Sequence, residues 1–217
     1  MQLMERSLKR LRQEAVCRVM ASSVSSANAA TVRLLEAWGF VGKPQGSLRM
    51  RRSLAGPLPA VDVPKGFALR PLRPGEEEWW VGLKNACFPE SEPWTLEHFR
   101  QEFCAAACFE YERIFVAVHE ERMVGTASAW EIDMGDGPVG LIHWVGTEPE
   151  YRGRGLGAAL NAKVLRELAV RGYADAWLNT SRDRAAAVRL YEKQGFVLHR
   201  EVYEYTLELR NYEGITP

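Results

Sequence analysis

Residues Val145 to Leu160 read VGTEPEYRGRGLGAAL, with glycines at 153, 155 and 157 and arginines at 152 and 154. From there Leu156, Leu160, Val164 and Leu168 recur every four residues, the apolar stripe of an amphipathic helix. Glycine lets a ligand approach the backbone closely, and the first N–H groups of a helix have no intrahelical partner. Such an end suits a phosphate, and Arg152 and Arg154 add positive charge. A nucleoside-triphosphate loop would need Lys followed by Ser or Thr after the glycines, and this chain has neither there. Gly153, Gly155 and Ala158 do satisfy the dinucleotide fingerprint GxGxx[G/A]. In that fold the glycines follow a first strand almost at once, whereas TEPEYR intervenes here, late in the chain. A nicotinamide-dependent oxidoreductase is therefore the remote alternative.

A second stretch offers a proton donor. RAAAVRLYEKQGF, Arg184 to Phe196, is echoed near the start by NAATVRLLEAWGF, Asn28 to Phe40. Ala29, Ala30, Val32, Arg33, Leu34, Glu36, Gly39 and Phe40 recur as Ala185, Ala186, Val188, Arg189, Leu190, Glu192, Gly195 and Phe196. The phenol of Tyr191 could give up a proton, but Leu35 at the same place could not.

The elements that must position these groups follow from patterning. FALRPL reads as a strand, GEEEWWVGLKNACF as a helix with an acidic start, and TLEHFRQEF as a short helix with Thr95 as N-cap. RIFVAVH and RMVGTASAWEID form a hairpin about Glu120 and Glu121, MGDGP is a loop, and GLIHWVGT is a strand. After the long helix, Arg171 and Gly172 supply a stop, ADAWLNT a strand, RAAAVRLYEKQ a helix, and FVLHREVYEYTLEL the closing strands. The order β-α-α-β-β-β-α-β-α-β-β predicts an α/β fold with a mixed sheet.

The chain has 217 residues, 28 basic against 28 acidic, so no broad field points to nucleic acid or an anionic membrane. No run approaches a membrane span, the N-terminus lacks a signal-peptide core, and the chain reads as cytoplasmic. Cys17, Cys87, Cys104 and Cys108 form no metal-ligand pattern; Cys104 and Cys108 fall on one helix face as buried thiols. No metal site is expected.

Arg152-Gly153-Arg154-Gly155-Leu156-Gly157 resembles the [Q/R]-x-x-G-x-[G/A] acetyl-CoA loop of the GNAT N-acetyltransferase superfamily, and LYEKQGF resembles that family's LYEKxGF helix end. The resemblance covers about Lys65 to Arg210. It implies the GNAT acyl-CoA N-acyltransferase fold, acetyl-CoA as co-substrate, and transfer to an amine on a small molecule or peptide. It also implies that the backbone of Val145, Gly146 and Thr147 pairs with the pantetheine arm like an added strand. The amides of Arg154, Gly155, Leu156, Gly157 and Ala158 would hold the pyrophosphate, and Tyr191 would protonate the departing CoA thiolate. Many relatives carry Asn seven residues before that tyrosine; here it is Arg184, with Asn179 as the substitute. A non-catalytic acyl-CoA-binding module of the same fold is the main alternative.

An amine near neutral pH must lose a proton before it attacks. His143 offers an ordinary pKa near 6.5 on the strand before the loop, and Glu131 and Asp133 end the neighbouring strand. The resemblance places the acceptor over FPESEPW, Phe88 to Trp94, with Trp79, Trp80 and Trp130 as aromatic neighbours. The echoed phrase implies a tandem protein. Residues 1–54 read as a truncated, degenerate GNAT half-domain that binds no acetyl-CoA, 55–64 as a Pro-rich linker, 65–210 as the catalytic domain and 211–217 as a tail. In the half copy, Glu5 to Arg18 falls on the second half of the long helix, and Val19 to Ser23 falls on the strand ADAWLNT. The half copy's strand edges need cover, either on the catalytic domain or in a homodimer.

Overall fold

The computed structural model describes residues 6–8, 10–11, 18–25, 28–42, 47–134 and 137–208. Its elements are β1 (Arg18–Ser25), α1 (Ala29–Ala37), β2 (Val41–Gly42), β3 (Ser47–Ser53), β4 (Ala68–Pro71), α2 (Glu77–Cys87) and α3 (Leu96–Phe99). After a π-helical turn at Arg100–Cys104 come β5 (Ile114–His119), β6 (Arg122–Asp133), β7 (Pro138–Thr147), α4 (Leu156–Val170), β8 (Asp175–Ser181), α5 (Ala185–Lys193) and β9 (Val197–Glu208). The closing segment is thus one long strand rather than two. Cys17 and the tail at 211–217 lie outside the described residues.

The chain divides into two compact units interleaved in sequence. The larger takes 51–178 and 190–197, the smaller 1–50, 179–189 and 198–217. The larger unit carries the end of β3, the start of β8 and all of β4 to β7, in the order β3-β8-β7-β6-β5-β4, with β4 to β7 antiparallel and β7 parallel to β8. Trp80, Phe99, Phe103, Ile114 and Val116 form its core on one side. Leu156, Leu160, Leu165 and Leu168 of α4 are also buried, and α4 touches β5, β6 and β7. The hairpin between β5 and β6 turns through Glu120 (φ 47°) and Glu121 (φ 66°), two left-handed residues that match a twisted two-residue loop.

In the smaller unit β9 lies between β1 and β3, and Leu35, Trp38, Phe40, Tyr205 and Leu207 pack together. The echoed phrase is one structure made twice. Each copy is a short helix, α1 or α5, ended by a left-handed glycine, Gly39 (φ 80°) or Gly195 (φ 84°). Each glycine N–H donates to Glu36 O or Glu192 O at 2.9 Å, and the next phenylalanine N–H to Leu35 O or Tyr191 O at 3.0 Å. This is the Schellman cap, which needs a residue tolerant of positive φ and favours a buried apolar side chain after it. Phe40 and Phe196 are both buried. On the alignment of the two phrases, β1 corresponds to β8 and β3 to the later part of β9.

The segment expected to be a linker has neither helix nor strand, yet it is tied down. The Pro57 and Pro59 carbonyls accept from Arg52 Nη2 (2.6 Å) and Arg166 Nη2 (3.2 Å). Cys104 and Cys108 do not share a helix face, because the helix ends at Cys104 through its π turn. Cys104 is exposed and Cys108 half-buried, and among the described residues Cys87 is the buried thiol.

Candidate active site

Strand β7 is built with a break in it. Its ladder with β6 slips between Thr126↔Gly146 and Ser128↔His143, where Trp144 takes φ 50°. A bulge of this kind bends the strand and re-aims side chains. On the other side the ladder with β8 covers only Gly140↔Ala176 and Leu141↔Trp177. The outer half of β7, with Val145, Gly146 and Thr147, therefore runs beyond that pairing. Gly146 is required there, since a Cβ would come within 2.8 Å of Cys87 Cβ and of the Phe88 ring.

The Gly-rich loop follows at this end. Gly155 is the N-cap of α4 with φ 90°, and it supplies no side-chain hydrogen bond to the first turn. Gly153 is left-handed too, at φ 77°, with open space where a Cβ would stand. Leu156 is buried, fixing the helix, while Gly157 and Ala158 are half-buried on its first turn. Arg152 donates from Nε to Thr147 O (3.1 Å) and from Nη2 to Cys87 O (3.2 Å), clamping the strand end to α2. Arg154 donates to Glu150 O at 3.3 Å, with its guanidinium 5.2 Å from the Tyr151 ring centroid. Asn179 and Arg184 belong to the smaller unit, where Asn179 Oδ1 accepts from Arg49 Nε at 3.2 Å. Asn28, which stands in the first copy where Arg184 stands in the second, caps α1 by accepting from Thr31 N–H at 3.1 Å.

The titratable residues fare differently. Tyr191 is 6% exposed, its ring edge-on to Phe196 at 5.9 Å. His143 stacks on Phe103 at 6.2 Å, and burial pushes its pKa down to about 4, well below the ordinary 6.5 on which its suitability as a base rested. Its Nδ1 is buried with no hydrogen-bond partner, as is Oγ of Ser128, directly opposite in register. Trp144 Nε1 is a third such atom, so three orphaned polar groups gather about the bulge. Buried polar atoms are seldom left unpaired, and a cluster of them points to a ligand or solvent position. Glu131 lies at the other end of β7, opposite Gly140, and accepts a hydrogen bond from the Tyr173 hydroxyl. Asp133 is exposed.

The aromatic surroundings of Phe88–Trp94 differ from expectation. Trp79 points outward at 69% exposure, Trp80 is sealed in the core with Nε1 on Thr126 Oγ1 (2.8 Å), and Trp130 is buried. The loop instead closes on Lys84, which the sequence reading missed. This lysine has no exposed surface, donates to Ser91 Oγ and Glu92 O at 3.0 Å each, and lies 5.0 Å from the Trp94 and Trp144 rings. Burial lowers its pKa. Its only sequence signal was a lone lysine among apolar residues of α2.

A model of the "Acetyltransferase (GNAT) family" matches residues 77–196, which include β7, the loop, α4 and α5. The chain belongs to this family. It is 37% identical over 174 residues to a mycothiol acetyltransferase of Thermobispora bispora, covering 77% of this chain and 58% of that protein. With a mycothiol acetyltransferase of Acidothermus cellulolyticus it shares 33% identity over 165 residues, 69% of this chain and 50% of that one. The chain thus spans about half the length of these relatives. Among solved structures, a GCN5-related N-acetyltransferase from Sphaerobacter thermophilus aligns with TM-score 0.72 at 24% identity, over 90% of this chain and 61% of that one. A tandem GNAT protein from the clavulanic acid biosynthesis pathway aligns at 0.69 and 16%, over 96% and 69%. These GNAT neighbours share the mixed α/β fold of this chain. Among the described residues no helix is long and apolar enough to cross a membrane, and no cluster of His, Cys, Asp and Glu could hold a metal.

Proposed function

We propose that this chain transfers an acetyl group from acetyl-CoA to a primary amine. The observation that carries the reading is the sequence of features at one end of β7: a bulge at Trp144, strand backbone beyond the β8 ladder, then a left-handed glycine opening α4 without a side-chain cap. The backbone of Val145 to Thr147 would pair with the pantetheine amides. The amides of Arg154 to Ala158 would receive the pyrophosphate at the positive end of the helix.

The amine lone pair attacks the thioester carbonyl carbon, and the tetrahedral intermediate collapses with loss of the CoA thiolate. Tyr191 gives that sulfur its proton. The proton released by the amine passes to the region of His143 Nδ1 and Ser128 Oγ, directly or through a water that these unpartnered atoms would hold. With its pKa held down to about 4 by burial, His143 is neutral at physiological pH and cannot keep a proton, so its part is to hand the amine's proton on to solvent. It is a weaker base than an ordinary imidazole. Glu131, occupied by Tyr173, is the less favoured base.

Since the two relatives named above are mycothiol acetyltransferases, the deacetylated form of mycothiol is the first acceptor to assay. The testing experiment is Tyr191→Phe with that amine, following release of CoA thiol. The expected result is a kcat lower by about 10² with acetyl-CoA affinity unchanged, the usual scale for losing one general acid. An unchanged kcat would reduce Tyr191 to its packing against Phe196.

A further inference from the structure

The last turn of α5 is held by a strand from outside the matched family region. Gln194 is buried, and its side chain reaches α4: Nε2 donates to Ala158 O at 2.9 Å, and Oε1 accepts from Asn161 Nδ2. Asn161 is completely buried in the second turn of α4. The backbone carbonyl of Gln194 accepts from Arg52 Nη1, whose other nitrogen, Nη2, donates to Pro57 O. Arg52 lies on β3, well before residue 77, where the family match begins. Neighbouring contacts fix that strand: Arg51 pairs with Asp175 at 2.7 Å and Leu54 N–H donates to Ala174 O at 2.9 Å. In the first copy the place of Gln194 is taken by Trp38, which is buried in apolar surroundings and has no amide to offer.

These contacts meet at one point. A helix C-terminus presents unpaired carbonyls and partial negative charge, and a guanidinium there both satisfies and neutralises it. The Schellman cap of α5 uses Tyr191 O and Glu192 O, and Arg52 takes Gln194 O. Gln194 N–H in turn donates to Tyr191 O at 3.0 Å. So the turn carrying Tyr191 is tied from one side by Arg52 and from the other by the first two turns of α4, whose opening amides face the proposed pyrophosphate position.

We propose that Arg52 and Gln194 are positioning residues for acetyl transfer, setting the Tyr191 hydroxyl relative to the CoA-binding end of α4. The inference rests on the acid role of Tyr191 and adds to it that β3, contributed from before the matched region, is part of the working site. Arg52→Met and Gln194→Leu remove one tie each, and Arg52→Lys keeps the charge but not the two-nitrogen fork.

The variants are compared by CoA-thiol release from acetyl-CoA with deacetylated mycothiol, by calorimetric affinity for CoA, and by amide exchange across 190–196. The expected result is a kcat about 10-fold lower in Arg52→Met and Gln194→Leu, partial recovery in Arg52→Lys, and CoA affinity within about 3-fold of wild type. Exchange at 194–196 should quicken. Adding Arg52→Met to Tyr191→Phe should cost nothing more, because misplacing an absent hydroxyl has no effect. Wild-type kcat in folded Arg52→Met and Gln194→Leu, or a loss that adds fully to that of Tyr191→Phe, would overturn the proposal. Tyr191→Phe measured alone reports separately on the acid. If Arg52→Met does not fold, unchanged exchange and turnover in Arg52→Lys and Gln194→Leu would overturn the proposal equally.

Discussion

Acidification should destabilise this protein through His143, and the size of the effect follows from its burial. The imidazole has a pKa of about 4 in the folded chain and an ordinary value of 6.5 when exposed. Between those values the unfolded chain takes up a proton that the folded chain refuses, so stability is lost as pH falls below 6.5 and goes on falling to about 4. At about pH 5 the unfolded histidine is almost fully charged and the folded one almost fully neutral, which amounts to about 2 kcal/mol of lost stability. The assay is urea unfolding at about pH 7.5 and about pH 5 for wild type and His143→Gln. Other groups contribute equally to both proteins, so the difference between the two losses isolates this residue. The variant should lose about 2 kcal/mol less than wild type. Equal losses would mean that His143 is solvated, and the orphaned atoms at the bulge would then lose their significance.

Two further substitutions test other parts of the account. Gly155→Glu places a side chain at φ 90° and a carboxylate at the head of α4, so CoA affinity should fall by at least about 100-fold in calorimetry; retained affinity would remove the pyrophosphate from this loop. Lys84→Met strips Ser91 Oγ and Glu92 O of their donor and the Trp94 and Trp144 rings of their cation, so amides 89–94 should exchange about 10-fold faster while the core keeps its protection. Unchanged exchange would show that the loop stands without its lysine.

Much of the architecture was legible because it rests on local rules. The four-residue spacing of Leu156 to Leu168 became α4, Thr95 caps α3 through His98 N–H at 3.3 Å, and Arg171 and Gly172 end α4, with Gly172 left-handed at φ 85°. The site was legible only where a motif carried it. GLIHWVGT reads as an uninterrupted strand, and nothing in it announces the bulge, because the slip is set by how β6 pairs with it. His143 looked like an ordinary base, since its depressed pKa comes from Phe103 and the rest of the packing around it. Lys84 was invisible for the same reason: helical periodicity does not say that a lysine will be sealed between two tryptophans from other segments. Glu131 faced no partner in the sequence, but the turn after α4 brings Tyr173 onto it.

The most direct test of the central claim is parallel calorimetric titration of the folded chain with acetyl-CoA, CoA and NADPH. The account predicts that acetyl-CoA and CoA each bind at a single site per chain, while NADPH gives no heat of binding. Saturable binding of NADPH, or no binding of acetyl-CoA by folded protein, would contradict it.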